Sequence, residues 1–204
     1  MLADLGPSIA AAAGQRRLRF AWTGDVNGSD DLHRRAAFAW LRGEVEREAR
    51  AFLAALGCEL PRLQLYFQSS WAVLSTAAEV VAEHSHPQAN LSAVYYLQIP
   101  AGDGGELVFE NVSQPNALGP DLDRPDLVRP NALNARQACY QPREGRLLLF
   151  SSRQPHHVRA HGADELRVSI TFDLAVAPRE TADDPHERGR RQGWDAFHEE
   201  AAPA

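Results

Sequence analysis

The chain has 204 residues and a formal net charge of −6, with 44% hydrophobic and 24% charged residues, enough for one domain with a substantial core. All 21 of its basic residues are arginine; the missing lysine excludes a Schiff base with a carbonyl substrate or pyridoxal phosphate, a P-loop, and a kinase built on a strand lysine. The acidic balance argues against nucleic acid as a partner, and no apolar run approaches the roughly 20 residues of a membrane span.

Residues 1–29 are rich in Ala, Gly and polar side chains and read as irregular. Asp4 precedes the alanine run and the arginines follow it, the reverse of a secretory signal, so the expected location is cytoplasmic. Asp30 or Asp31 is a candidate N-cap for a helix over 30–57. Within Leu32–Leu56, the residues Leu41, Val45, Ala49, Phe52, Leu53 and Leu56 fall at helical spacing, and Gly57 supplies the stop. Cys58 and Cys139 lack metal-ligand or redox-motif spacing and read as reduced, structural thiols.

After Pro61 the pattern becomes β-like. Gln64–Phe67, Ser70–Leu74, Leu91–Gln98, Glu106–Glu110, Arg146–Ser151 and Arg167–Leu174 are short runs rich in β-formers, separated by polar or Gly/Pro breaks, as in an antiparallel sandwich or barrel. The continuous run Leu147–Phe150 predicts a strand buried on both faces. Asn111–Gln141 is a long connection and a candidate lid, whose Arg124, Arg129 and Arg136 either meet an acidic substrate or are solvated loop charges. Residues 178–204 read as a charged tail.

Five of the eight histidines fall in two places, His84 with His86 and His156 with His157 and His161. An H-x-H pair at a strand end directs both imidazoles to one face, and a third histidine from a distant strand completes a facial set of three. Such a set leaves the opposite positions of a metal open, and imidazole suits Fe, Zn, Cu and Ni alike. Arg167-Val168-Ser169 opens a later strand, where an arginine can clamp a carboxylate bidentately with the serine hydroxyl facing the same way. The alternative for Arg167 is a salt bridge to Asp164 or Glu165.

Together these segments resemble the Fe(II)- and 2-oxoglutarate-dependent dioxygenases, and more narrowly the bacterial branch carrying H-x-H-P followed by S-x-V-Y-Y-L. Here these blocks are His84-Ser85-His86-Pro87 and Ser92-Ala93-Val94-Tyr95-Tyr96-Leu97. Asp103-Gly104-Gly105-Glu106-Leu107 is similar to the D-G-G-E-L turn of hydroxylases in the superfamily. Gly145–Phe150 resembles the strand before the distal histidine, Pro155-His156-His157-Val158 the H-x-V element, and Arg167-Val168-Ser169 the cosubstrate clamp. The likeness runs from about Trp71 to Phe172.

The resemblance implies a mostly β fold, a double-stranded β-helix (jelly roll) over 61–175 with a supporting N-terminal helix, in a single domain 1–204. It also implies Fe(II) as cofactor, 2-oxoglutarate as cosubstrate and dioxygen as oxidant, acting on a C–H bond of a small molecule or peptide, with hydroxylation the default. His84, His86 and His156 take the metal positions, and Arg167, Ser169 and Tyr96 bind the cosubstrate. His157, Glu83, Asn90 and Trp71 are candidates for the surroundings of the metal or the substrate. The chain departs from the family where a carboxylate is usual: His86 stands there, so either it is a third imidazole ligand or Glu83 or a water fills the place. Two other readings stay open, a cupin-type three-histidine metalloenzyme without 2-oxoglutarate and a non-catalytic jelly-roll binding module.

Overall fold

The computed structural model describes residues 1–14, 19–28, 31–111, 134–181 and 191–198, together with 129, 131, 184 and 189. The described residues form ten strands: β1 Trp22–Thr23, β2 Leu63–Ser75, β3 Val81–His84, β4 Leu91–Gln98, β5 Leu107–Glu110, β6 Gln137–Tyr140, β7 Leu147–Ser151, β8 His156–Val158, β9 Arg167–Pro178 and β10 Asp195–Ala196. The major sheet runs β1-β2-β9-β4-β7, with β10 also on β2, and the minor sheet runs β3-β8-β5-β6. All these pairings are antiparallel, and the two packed sheets with the helix form the jelly-roll core. Among the described residues, no helix is long and apolar enough to cross a membrane.

The major sheet separates two environments because alternate residues of a strand face opposite sides. In β9, Val168, Ile170, Phe172 and Leu174 join the main apolar cluster with Leu41, Val45, Ala49 and Leu53 of the helix α2, which spans Ala39–Ala55. Burying each large apolar side chain there contributes about 1.5–3 kcal/mol. The other face of β9 carries Arg167, Ser169, Thr171 and Asp173 and looks toward the minor sheet.

Helix α2 begins seven residues later than its periodicity suggests, after two short 3-10 turns, Leu32–Arg34 and Ala36–Phe38. The reason is tertiary: His33 is held to Ser70 of β2 through both its backbone N–H (2.8 Å) and its ring Nδ1 (2.7 Å), and extended Arg35 interrupts the helical path. The C-terminus follows the sequence signal, with Gly57 at φ +82° and Cys58 N–H bonded to the Leu53 carbonyl in a Schellman-type ending.

Both ends of the chain contain structure that the sequence reading left irregular. Gly6–Gly14 is a helix, α1, preceded by a 3-10 turn, with Leu5 and Ala12 fully buried. Strand β1 pairs Trp22 with Leu74 and Thr23 with Val73. Near the other end, β10 pairs with β2, and Phe197 packs against Phe67 at a ring separation of 4.6 Å. A two-residue strand carries no periodicity, so no local pattern marks β1 or β10.

Three further differences come from edges and bends. The two runs in 64–74 are one strand, β2, with a register shift between Phe67 and Ser69. The run in β7 is half-buried because β7 is the sheet's edge strand. Strand β6, which lies in the long connection, is exposed along its whole length and so shows no alternation. Arg124 and most of that connection lie outside the described residues, while Arg129 and Arg136 are exposed and do not line the cavity described below.

Candidate functional site

Between the sheets lies a cavity of about 320 Å³. The minor sheet brings His84 and His156 directly opposite each other on β3 and β8. His86 follows two residues beyond β3, in the turn toward β4, where its backbone N–H is fixed on the Ser152 carbonyl at 2.8 Å. One ligand nitrogen from each of these three histidines lies within 4.8 Å of the others.

Their hydrogen bonds set the ring tautomers. His84 Nδ1 is 2.8 Å from the Ala82 carbonyl and His156 Nδ1 is 2.9 Å from the Gln154 carbonyl. A carbonyl only accepts, so both rings carry the proton on Nδ1 and leave the Nε2 lone pair free. His86 Nδ1 is engaged by Asp173 Oδ2 at 2.9 Å, which leaves its Nε2 free in the same way. Burial drives His156 down to about 4 and also lowers His84, so both rings are neutral lone-pair donors at neutral pH. Three converging imidazoles fit a borderline divalent metal such as Fe(II).

The major sheet supplies the opposite wall. Tyr96 of β4 and Ser169 of β9 are register partners, and Arg167 lies two residues before Ser169 on the same face. Arg167 is 2% exposed. Its guanidinium carbon is 5.4 Å from the centroid of the Tyr96 ring. Burial lowers the guanidinium pKa and raises that of the phenol, each shift opposed by the other side chain. The two are near neighbours, yet Tyr96 Oη and Arg167 Nε and Nη1 are buried without a hydrogen bond of good geometry. Neither Asp164 nor Glu165 forms an ion pair with Arg167 among the described residues. A buried cation without an anion is costly, and the cavity leaves room for an anionic ligand to meet it. A carboxylate from a dicarboxylic acid fits these donors.

The D-G-G turn lies close to this arginine. Gly104 has φ +94°, and a Cβ there would sit 2.5 Å from the Ala160 carbonyl oxygen; a Cβ on Gly105 would lie 3.6 Å from Arg167 Nε. The glycines thus let the turn close against the segment after β8 and the base of the clamp.

The remaining candidates divide. Trp71 lines the cavity, buried, with its ring 5.7 Å from His86. Glu83 and His157 project away from the three histidines, because they are their immediate neighbours on strands that alternate faces, and they cluster with Glu110 instead. Asn90 does not line the cavity; its side-chain oxygen accepts the Val176 N–H at 2.8 Å. His161, the fifth clustered histidine, is buried beside Ser75.

The sequence reading missed Asp173 and the segment Phe20–Val26, which forms part of the cavity wall. A signal for Asp173 existed: Arg167, Ser169, Thr171 and Asp173 put a polar residue at every second position of an apolar strand. Nothing comparable marked Phe20 or Asp25.

The fold and site together are those of a jelly roll holding an open three-histidine cluster beside a buried arginine. Residues 69–173, just over half of the chain, match the protein family described as "Putative 2OG-Fe(II) oxygenase", and the chain belongs to that family. No curated protein matches it. Similar solved structures include a Pseudomonas putida prolyl-4-hydroxylase, 19% identical over 85% of this chain and 86% of that one, with TM-score 0.48. The 2-oxoglutarate-dependent epimerase SnoN from nogalamycin biosynthesis is 19% identical over 100% of this chain and 87% of its own, also with TM-score 0.48. A 2OG-Fe(II) oxygenase-family oxidoreductase from Burkholderia pseudomallei is 18% identical, with TM-score 0.43; the match covers 62% of this chain and about half, 49%, of that one.

Proposed function

We propose that the protein is a non-haem Fe(II)- and 2-oxoglutarate-dependent oxygenase of the H-x-H-P branch that hydroxylates a C–H bond of an apolar small molecule or peptide. The observation that carries this reading is the pairing, in one cavity, of three free imidazole nitrogens with a buried guanidinium that meets no anion among the described residues. A cupin-type enzyme without 2-oxoglutarate has no use for that guanidinium.

In this reading His84, His86 and His156 hold the metal through Nε2. The Arg167 N–H groups, with the Ser169 and Tyr96 hydroxyls, donate to the distal carboxylate of 2-oxoglutarate. When bound, Fe(II) with the cosubstrate and dioxygen supplies the oxidising chemistry: one oxygen atom goes to the substrate C–H bond, and 2-oxoglutarate becomes succinate and carbon dioxide. The protein's own part is to orient both reactants and exclude water, for which Trp71, Val73 and Val94 line the walls.

The mouth of the cavity suggests the polarity of the substrate. Phe20 and Val26 line it while remaining 56% and 81% exposed, an apolar rim awaiting an apolar surface. Asp25 lies between them, also lines the cavity, and has no ion-pair partner among the described residues. Its charge raises the His84 pKa against the larger lowering by burial. An apolar substrate bearing a cationic nitrogen suits this rim.

The test is succinate release from 2-oxoglutarate by Fe(II)-loaded protein, using paired probes of opposite charge such as phenethylamine and phenylacetate. The amine is expected to stimulate turnover more, with Asp25→Asn removing the preference. Preference for the acid would overturn the assignment of Asp25. Absence of both succinate release and calorimetric 2-oxoglutarate binding would overturn the oxygenase reading.

A further inference from the structure

Three imidazoles leave the metal position one negative charge short of a two-histidine, one-carboxylate facial site. The carboxylate is present one hydrogen bond further out. Asp173, the last residue of the polar row on β9, accepts from His86 Nδ1 at 2.9 Å through Oδ2, with the two side chains 13% and 15% exposed. Its other oxygen, Oδ1, is 2.8 Å from Ser92 Oγ, which lies 3.1 Å from Ser152 Oγ. Ser92 has one proton to give; donating it to the carboxylate leaves its oxygen to accept from Ser152. Both serines are fully buried, so the carboxylate is fixed by a hydroxyl chain that water does not loosen. Ser152 also anchors the His86 backbone through its carbonyl, tying the carboxylate and its histidine to one frame.

The three histidines are therefore not equivalent. His84 and His156 rest on neutral carbonyls two residues before them, whereas His86 alone rests on a carboxylate. A carboxylate behind an imidazole fixes its tautomer and raises its basicity as a metal ligand.

We propose that Asp173 is a positioning residue for the metal, compensating through His86 for the carboxylate that this chain lacks among its ligands. The proposal rests on the three-histidine reading above and assigns the unusual histidine a partner on the major sheet. Asp173→Asn keeps the size and a hydrogen-bond acceptor but removes the charge, while Asp173→Leu removes both. Ser92→Ala leaves the charge and loosens only its placement.

The experiment is an anaerobic titration of the full chain with Co(II), read by calorimetry and by the metal's visible absorption bands, for wild type, these three variants and His84→Ala. Asp173→Asn is expected to weaken Co(II) binding by about 10- to 100-fold and to shift the absorption bands, Asp173→Leu to weaken it more, and Ser92→Ala less. Metal-free melting of Asp173→Asn should stay near that of wild type, separating a charge effect from a folding defect. Wild-type Co(II) affinity and spectrum in Asp173→Asn, alongside lost binding in His84→Ala, would overturn this proposal and leave the metal centre standing. Undiminished binding in His84→Ala would overturn both.

Discussion

Two histidines on opposite faces of the major sheet, His33 buried and His86 half-buried, each combine with serine and aspartate, with opposite outcomes. On the helix face, His33 is 2% exposed; Ser70 lies at its Nδ1 and Asp195 Oδ2 is 2.9 Å from its Nε2. Ser70 also accepts the His33 backbone N–H, and Arg34 Nε donates to Asp195 at 2.7 Å. One tautomer, protonated on Nε2, satisfies both ring nitrogens. The composition is that of a hydrolase triad, yet Ser70 is fully buried and does not line the site cavity, so this group is a latch that pins β10 and the turn before α2 to β2. On the cavity face, His86 bonds to Asp173 through one nitrogen and keeps the other free. Polar groups that are all spent hold a fold together, and polar groups with a valence left over await a ligand.

The largest expected effects come from breaking each group in turn. His156→Ala should abolish Co(II) binding and reduce succinate release to background, its cost to metal-free stability being the lost packing of a buried ring on Phe150 and Phe109 rather than a broken polar network. His33→Ala should do the reverse: about 2–3 kcal/mol of stability lost in denaturant unfolding, as Ser70 and Asp195 lose a buried partner, with turnover per folded molecule retained. Retained stability in His33→Ala, or retained metal in His156→Ala, would erase the distinction.

Arg167 sharpens the contrast further. Its charge is buried with no anion beside it among the described residues, so Arg167→Met should stabilise the ligand-free protein by about 1 kcal/mol or more. The same substitution should weaken 2-oxoglutarate binding by roughly 100-fold, since the carboxylate loses its charged donor. Opposite signs in melting and calorimetry mark a residue kept for its ligand. A loss of stability would instead mean that Arg167 belongs with the latch.

How much of this was legible in the sequence follows from distance along the chain. The histidine ligand candidates sit in two short segments, and Arg167 and Ser169 in a third, so local spacing displayed them. The partner relations join remote segments: His86 to Asp173, His33 to Ser70 and Asp195. Such pairings depend on sheet register, which no local pattern encodes, although the period-two polar row on β9 marked the face. The helix start was misplaced for the same reason, because a remote serine takes the His33 backbone N–H.

The smallest expected effect is a slope. Burial lowers the pKa of His33 although Asp195 opposes it, and the pKa of Asp195 is lowered by Arg34 and His33 although burial raises it. For His33 the folded value lies below the unfolded value near 6.5, so above that pH both states are neutral and titration contributes nothing. As pH falls below 6.5 the unfolded chain takes the proton first, and stability declines. Asp195 acts only at lower pH, where its low folded pKa contributes stability that is lost on acidification. His33→Gln should therefore unfold more easily than wild type at pH 7.5, with the gap narrowing between pH 6.5 and 5 by at most about 1.4 kcal/mol per pH unit. His84 and His156 decline in the same window in both proteins, so the difference isolates His33. Denaturant midpoints across that range provide the measurement. A gap that stays constant would mean that His33 takes its proton in the fold as readily as in the unfolded chain, which would make the latch a charged pair with Asp195.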